Sequence, residues 1–173
     1  EHTHFNDPEK REHIRRLRIR AAQQKTNPIG NYNDPVSDEE NRKMELAIRR
    51  SHGDQVVECV DNDETAAVIA NLVHAKKLVL MTSTEGIYRD PADPKTLVEQ
   101  VTAKSMEELE EKVRQLQESC VGASRAGANG AKAKLEYALK SARQGTMVII
   151  GHARHRLSDL VEGRVACTRI GLE

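Results

Sequence analysis

The sequence of 173 residues has no tryptophan and very few other aromatic residues. Three tyrosines and one phenylalanine bring the aromatic content to only 2%. Proteins that read single-stranded nucleic acid usually stack its bases on aromatic side chains. The composition therefore argues against a nucleic-acid reader of this kind, and it predicts a core built from aliphatic residues.

The sequence also lacks an excess of charge of either sign, since 27 basic residues balance 27 acidic ones. Bulk charge therefore predicts neither a nucleic acid nor a membrane surface as partner. A local exception is the helix predicted from Pro8 to about Gln24, which is rich in arginine. We interpret its basic face as solvated or bound to an acidic neighbour, with a nucleic-acid or phosphate surface as the alternative. The arginines are Arg11, Arg15, Arg16, Arg18 and Arg20.

Cysteines and long apolar segments are scarce as well. Cys59, Cys120 and Cys167 are odd in number and form no CxxC pair, so neither a disulfide framework nor a zinc site is predicted. His152 and His155 could ligate a metal, but no third ligand lies near them in sequence, and no metal site is predicted. No apolar run approaches the ~20 residues of a membrane span. With no secretory signal recognisable, we expect a cytoplasmic protein that does not cross a membrane.

The patterned segments of the sequence alternate between strands and helices. This alternation predicts an α/β fold with a largely parallel sheet. The predicted strands are Gln55–Val60, Lys77–Thr82, Thr146–Ile150 and Val165–Ile170. The helices predicted after the first one are Ser37 to about Arg50, Thr65–Ala75, Ser105–Ser119, Ala131–Gln144 and Ser158–Glu162.

Polar turns follow or lie between these elements. Open α/β sheets bind ligands at the carboxyl ends of their strands, and Asn31–Asp34, Asp61–Asp63 and Thr82–Gly86 are candidates for such turns. Gly127–Gly130 leads into a helix whose first N–H groups could approach a phosphate. The usual GxGxxG and GxxxxGK[ST] phosphate-binding motifs are absent, so the glycine-rich loop alone is weak support for a nucleotide site.

Together, these segments resemble the motifs of the amino acid kinase family, and within it those of the glutamate 5-kinases. Asn31–Asp34 resembles the family's NEND loop, and Asp61–Ala70 resembles its DNDxLSAxVA segment. Leu80–Tyr88 is similar to LLTDxDGxY, and Gly127–Lys134 is similar to GTGGMxTK. The four segments follow the family's order and spacing, and the resemblance covers nearly the whole chain.

The resemblance implies a three-layer sandwich around a mainly parallel sheet. It also implies an enzyme that phosphorylates a small carboxylate substrate, namely the γ-carboxylate of L-glutamate, in the first step of proline synthesis. The implied cofactors are ATP and Mg²⁺, with the Mg²⁺ held largely through ATP. The amino acid is the implied small-molecule partner.

The resemblance assigns roles to single residues. Asn31, Asp34 and Asn62 would hold the amino acid, and Asp63 would organise the active-site lysines. Lys134 would stabilise the transferring phosphoryl group, since phosphoryl transfer needs positive charge around the equatorial oxygens. Catalysis is thus assigned to Asp63 and Lys134. The nucleotide would be bound by Thr82, Ser83, Gly127, Ala128, Asn129, Gly130 and Lys134.

The sequence departs from the family at several positions. Ser83 replaces the aspartate of the nucleotide turn, Asn129 replaces a glycine, and Tyr32 replaces the glutamate of NEND. The family's first strand and its glycine-rich, lysine-bearing loop are not found before Glu1. We therefore expect the C-terminal part of a kinase domain, with residues 1–60 in the substrate lobe and residues 61–173 in the nucleotide lobe.

Two interpretations of function stay open at this point. One is a carboxylate kinase that needs its missing N-terminal half, supplied by a second chain or lost by truncation. The other is a non-catalytic or regulatory subunit that keeps the fold and binds a nucleotide or another small ligand. Self-association is expected, because members of the family usually form homo-oligomers. Aspartate, acetylglutamate, carbamate and UMP are other acceptors in the family.

Overall fold

The computed structural model describes residues 8–29, 62–119 and 128–173. The chain divides into two compact units, Glu1–Val73 and His74–Glu173. Three predicted segments lie outside the described residues: the turn Asn31–Asp34, the helix from Ser37 to about Arg50 and the strand Gln55–Val60. The assignment of the substrate and nucleotide lobes stays a prediction.

The structure describes two helices of the first unit. Helix α1 spans Pro8–Gln23 and helix α2 spans Asn62–Leu72, and the two are in contact. Proline at the first position of α1 fits its fixed φ and missing N–H. The predicted bounds of α2 are wrong by three residues at each end. The helix takes in the acidic residues after Asp61 because carboxylates stabilise a helix N-terminus. It ends early because His74 has a φ of 52°.

A four-stranded sheet forms the centre of the second unit. Strands β1 (Lys77–Thr82), β2 (Gln100–Ala103), β3 (Met147–His152) and β4 (Thr168–Leu172) lie in the order β1-β3-β4-β2. The pairs β1/β3 and β2/β4 are parallel, whereas β3/β4 is antiparallel. The α/β prediction is therefore confirmed, with a mixed sheet in which two of the three pairings are parallel.

Two long helices cover one face of this sheet. Helix α3 (Met106–Ser119) packs on β2 and β4, and helix α4 (Ala128–Ala142) packs on α3, β3 and β4. An apolar stripe of α3 with spacings of three and four residues is buried on this face, and α4 contributes small and aliphatic side chains. The buried residues of the two helices include Leu109, Val113, Leu116, Leu135, Ala138 and Ala142.

A short helix, α5 (Leu157–Glu162), packs on β1 and β3. Its Leu160 is buried with Ile149 and Cys167. Because side chains alternate along a strand, Ile149 and its neighbours Val148 and Ile150 point to opposite faces, so the sheet lies between two helical layers. Cys167 is a free, buried thiol, as predicted for a core residue.

The connection from β1 to β2, residues 83–99, contains internal hydrogen bonds. A 3₁₀ turn, Pro94–Thr96, lies in the loop before β2, where Thr96 Oγ1 donates to the Asp90 carbonyl at 2.8 Å. Strand β2 is absent from the sequence-based prediction, because four residues are too few to show a clear period. Among the described residues, no helix has the length and apolar character needed to cross a membrane.

Candidate functional site at the carboxyl edge of β1 and β3

Strands β1 and β3 are parallel and end at the same edge of the sheet. Thr82 pairs with His152 at that edge, and the Ala153 N–H donates to the Thr82 carbonyl at 2.8 Å. The side chain of Thr82 is half-buried, and that of Ser83 is exposed. The structure thus puts these two predicted nucleotide-binding residues at the position where open α/β sheets bind ligands.

Close backbone packing fixes the end of the turn Thr82–Gly86. The Ile87 N–H donates to Thr168 Oγ1 at 2.8 Å, and Thr168 is fully buried. A Cβ atom at Gly86 would lie 2.3 Å from Thr168 Oγ1 and 2.9 Å from its backbone nitrogen. Gly86 therefore cannot carry a side chain without displacing β4. Thr168 is a supporting residue that the sequence analysis missed, because its contact joins positions 81 residues apart.

The turn after β3 meets the turn after β1 through side chains. His155 Nε2 lies 2.6 Å from a carboxylate oxygen of Glu85, and Arg154 pairs with the same carboxylate. His152 Nδ1 accepts from the Arg154 N–H at 3.1 Å. His152 and His155 are both half-buried, and their ring centroids are 6.3 Å apart. Within the described ranges, no three His, Cys, Asp or Glu side chains are grouped to hold a metal.

The expected loop before α4 is partly helical. Helix α4 begins at Ala128, so Ala128, Asn129 and Gly130 form its first turn, and only Gly127 lies outside the described residues. Alanine, which stands at the first position of α4, is a strong helix former. The prediction that the helix starts at Ala131 is therefore wrong.

Helix α4 points its first turn toward the same edge. It ends at Ala142, and a short turn through Gly145 (φ 81°) returns the chain to the start of β3. Because α4 packs on β3 and runs antiparallel to it, its N-terminus lies toward the edge where β1 and β3 end. The first N–H groups of a helix have no intrahelical acceptor and attract anions. Lys134 lies further along α4 and is half-buried.

The first unit holds the other described site residues. Asn62 and Asp63 lie in the first turn of α2, with Asn62 exposed and Asp63 half-buried. An acidic first turn stabilises a helix, so Asp63 has a structural role there whether or not it acts on a substrate. Asn31 and Asp34 lie outside the described residues. The structure therefore places Thr82 and Ser83 at one edge of the sheet, and the first turn of α4 lies toward the same edge.

Comparison with known proteins identifies the family. A sequence model of the amino acid kinase family matches residues 8–152. The chain belongs to this family. The match covers the turn after β1 and helix α4, and it ends at His152, the last residue of β3.

Curated members of the amino acid kinase family are similar to this chain. Glutamate 5-kinase from Geobacillus kaustophilus is 33% identical over 148 residues, which cover 84% of this chain and 34% of that protein. Glutamate 5-kinase from Gloeobacter violaceus is 31% identical over 149 residues, covering 85% of this chain and 35% of the relative. Acetylglutamate kinase from Methanopyrus kandleri is 46% identical over 59 residues, or 34% of this chain and 24% of that kinase. The chain thus spans about a third of the length of the glutamate 5-kinases that it matches.

Proposed function

We propose that this chain contains the nucleotide-binding part and some of the substrate lobe of a kinase that transfers the γ-phosphoryl group of ATP to an amino acid carboxylate. The observation that carries the proposal is the position of the Thr82–Ser83 turn at the sheet edge toward which the first turn of α4 lies. L-glutamate is the proposed acceptor, and its γ-carboxylate the proposed site of phosphorylation. The similarity to glutamate 5-kinases over 84% of the chain supports this choice.

In the proposed reaction, a carboxylate oxygen forms a bond to the γ-phosphorus of ATP. The bond between that phosphorus and the β,γ-bridging oxygen breaks, and its electron pair leaves with ADP. The products are an acyl phosphate and ADP. Such a transfer depends on positioning and on positive charge around the equatorial oxygens, and Lys134 is the proposed source of that charge.

The nucleotide is proposed to contact Thr82, Ser83 and the segment Gly127–Gly130. The N–H groups of the first turn of α4 are suited to phosphate oxygens, and no protein cation is required for that part of the contact. The described residues offer no cage of three or more ligating side chains, which fits a Mg²⁺ ion that ATP itself carries. When bound, this ion would neutralise charge on the phosphates.

The amino acid is proposed to bind Asn31, Asp34 and Asn62, with Asp63 organising the lysines. We further propose that a complete active site needs a lobe beyond this chain, supplied by a longer protein or a second subunit. The expectations of a cytoplasmic protein, of self-association and of a role in proline synthesis belong to the same proposal.

The test is a calorimetric titration of the chain with Mg-ATP, repeated with Lys134→Ala. Loss of a charge-assisted contact should weaken binding about tenfold. Lys140→Ala is the matched control, because Lys140 lies on the same helix, is exposed, and pairs with Glu136 at 2.9 Å. Lys140→Ala should bind as the unchanged chain does. Absence of saturable binding by the unchanged chain would contradict the proposal, and equal loss in the two variants would remove the role of Lys134.

A non-catalytic subunit is the second candidate, and Ser83 is the observation that favours it. The family's turn has an aspartate there, whereas this chain presents an exposed hydroxyl. Ser83→Asp restores the carboxylate without entering the core. A clear gain in Mg-ATP affinity in this variant would support a subunit that has lost part of its nucleotide site. Unchanged affinity would count against that explanation.

A further inference from the structure

An acidic side chain lies in the turn proposed to bind the nucleotide, and it is largely buried. The side chain of Glu85 is only 17% exposed, and that of its neighbour His155 is 20% exposed. A carboxylate removed from water is costly unless donors or cations replace the lost water. His155 and Arg154 meet this need, and both belong to the turn after β3 rather than to the turn of Glu85 itself.

The contact joins two turns that are far apart in the sequence. Glu85 and His155 are separated by 70 positions. A carboxylate oxygen can only accept, so His155 Nε2 carries the proton of this hydrogen bond. The other turn is itself ordered by the His155 N–H, which donates to the His152 carbonyl at 3.1 Å. Glu85 is therefore held by a structured partner and not by a freely moving side chain.

In the part of the chain that the structure describes, hydrogen bonds from the backbone of the turn after β1 to other elements lie at its two ends. At one end the Thr82 carbonyl accepts from Ala153, and at the other the Ile87 N–H donates to Thr168. The hydroxyl of Thr84 donates to the Gly86 carbonyl inside the same turn. Among the residues that the structure describes, Glu85 makes the one side-chain link from the middle of this turn to another element.

We propose that Glu85 is a positioning residue, which holds the Thr82–Ser83 backbone in the conformation that receives the nucleotide. This inference rests on the proposed function, because it assumes that the nucleotide contacts that turn. A turn held in place before binding loses less conformational freedom when the ligand arrives, and this raises affinity. The contact of Glu85 with His155 and Arg154 does not involve position 83, where this chain has a serine in place of the family's aspartate.

The first experiment tests the link without any nucleotide. Amide hydrogen exchange is measured on the full chain and on Glu85→Ala. We expect faster exchange in both turns, residues 82–86 and 152–156, because the side chain that joins them is gone. Unchanged exchange in residues 82–86 would show that Glu85 does not order the turn after β1, and it would overturn the proposal.

The second experiment measures Mg-ATP affinity by calorimetry. Glu85→Ala should weaken binding about fivefold or more, on the scale of a hydrogen bond to a charged group. In Glu85→Gln the amide oxygen still accepts from His155, so this variant should lose less. His155→Ala should weaken binding too, and combining it with Glu85→Ala should add little, because both changes remove the same link.

Glu110→Ala is the matched control. Glu110 pairs with Arg143 at 2.8 Å, and this ion pair likewise joins two elements that are distant in sequence. It links α3 to the residue just after α4, at the end of α4 opposite to its first turn. Affinity for Mg-ATP should be unchanged in this variant. An equal loss in Glu110→Ala and Glu85→Ala would point to general destabilisation and overturn the positioning role.

The outcomes separate this inference from the proposed function. If the unchanged chain binds no Mg-ATP, the proposed function fails, and the positioning role fails with it. If the unchanged chain binds and Glu85→Ala binds equally well, only the positioning role fails. Selective loss in Glu85→Ala and His155→Ala, with partial rescue by Glu85→Gln, supports it.

Discussion

The two faces of the sheet in the second unit are covered in different ways. On one face, helices of 14 and 15 residues bury a continuous aliphatic layer. On the other face, a six-residue helix lies over β1 and β3, and side chains from the sheet hold its C-terminus. Arg169 donates to the Leu160 carbonyl at 3.0 Å and to that of Val161 at 3.2 Å, and Lys77 donates to the Val161 carbonyl at 3.1 Å.

The two faces of the sheet are therefore stabilised by different kinds of interaction. The long-helix face is stabilised by apolar burial, which is non-directional and grows with area. A helix of six residues buries little, so its placement depends on directed contacts to its last carbonyls and on a glycine that ends it. We expect substitutions on the two faces to differ in how much they reduce the free energy of unfolding and in the kind of interaction that they remove.

The largest effect should come from the long-helix face. Leu109 is fully buried on α3, and Leu109→Ala should reduce the free energy of unfolding by about 2–5 kcal/mol. Leu160 is equally buried on α5, but its short helix can move to fill part of the space. Leu160→Ala should therefore fall at the low end of that range. Urea unfolding measures both, and a larger loss in Leu160→Ala would reverse our view of the two faces.

The second-largest loss of stability is expected for a substitution of the glycine that ends α5. Gly163 has a φ of 71°, and its N–H bonds back to the helix. Gly163→Ala should cost about 1–2 kcal/mol, because an L-residue is strained in the left-handed region. A Cβ there would also lie 2.8 Å from Arg169 Nη2, at the far end of a flexible side chain. Thermal unfolding checks the change, and Gly130→Ala is the control, since no atom lies within 4 Å of a Cβ at Gly130.

A smaller effect is expected at the cation that caps this helix. Arg169→Met keeps much of the apolar stem and removes the two hydrogen bonds to α5, so it should cost about 1 kcal/mol. Arg143→Met breaks an ion pair in which the arginine is half exposed, and such pairs contribute little. Equal losses in the two variants, measured by urea unfolding, would show that the cap of α5 is no stronger than a surface ion pair.

The smallest effect is the pH dependence of the long-helix face. A hydrogen bond from Lys112, with a second from the Lys104 N–H, holds the pKa of Glu108 below its ordinary value of 4.5. Because the folded pKa is the lower one, this contribution is complete above the unfolded pKa and is lost as pH falls through the folded value. Between about pH 6 and pH 3, the unfolding temperature should fall slightly less in Glu108→Gln than in the unchanged chain. An identical fall would show that the Glu108 carboxylate does not contribute to the loss of stability at low pH.

Local patterns were sufficient for much of the second unit. The strands near Lys77–Thr82 and Met147–His152 and the apolar stripe of α3 follow from runs and spacings of a few residues. The order of the four polar segments pointed to the amino acid kinase family, which the match to residues 8–152 confirms. These features are readable because each depends on neighbours within one or two turns of a helix or one strand.

Other features depend on residues that only the folded chain brings together. The antiparallel pairing of β3 with β4, the short strand β2, and the contact of Gly86 with Thr168 have no local signal. The same is true of Glu85, whose partners His155 and Arg154 become neighbours only because β1 and β3 end at one edge. The spacing of apolar residues indicates which side of a helix or strand is apolar. Strand order and the hydrogen bonds between residues distant in sequence depend on the path of the whole chain. The motifs of this protein can therefore be identified from its sequence alone. The contacts that hold the turns after β1 and β3 in place form only when the chain packs into its tertiary structure.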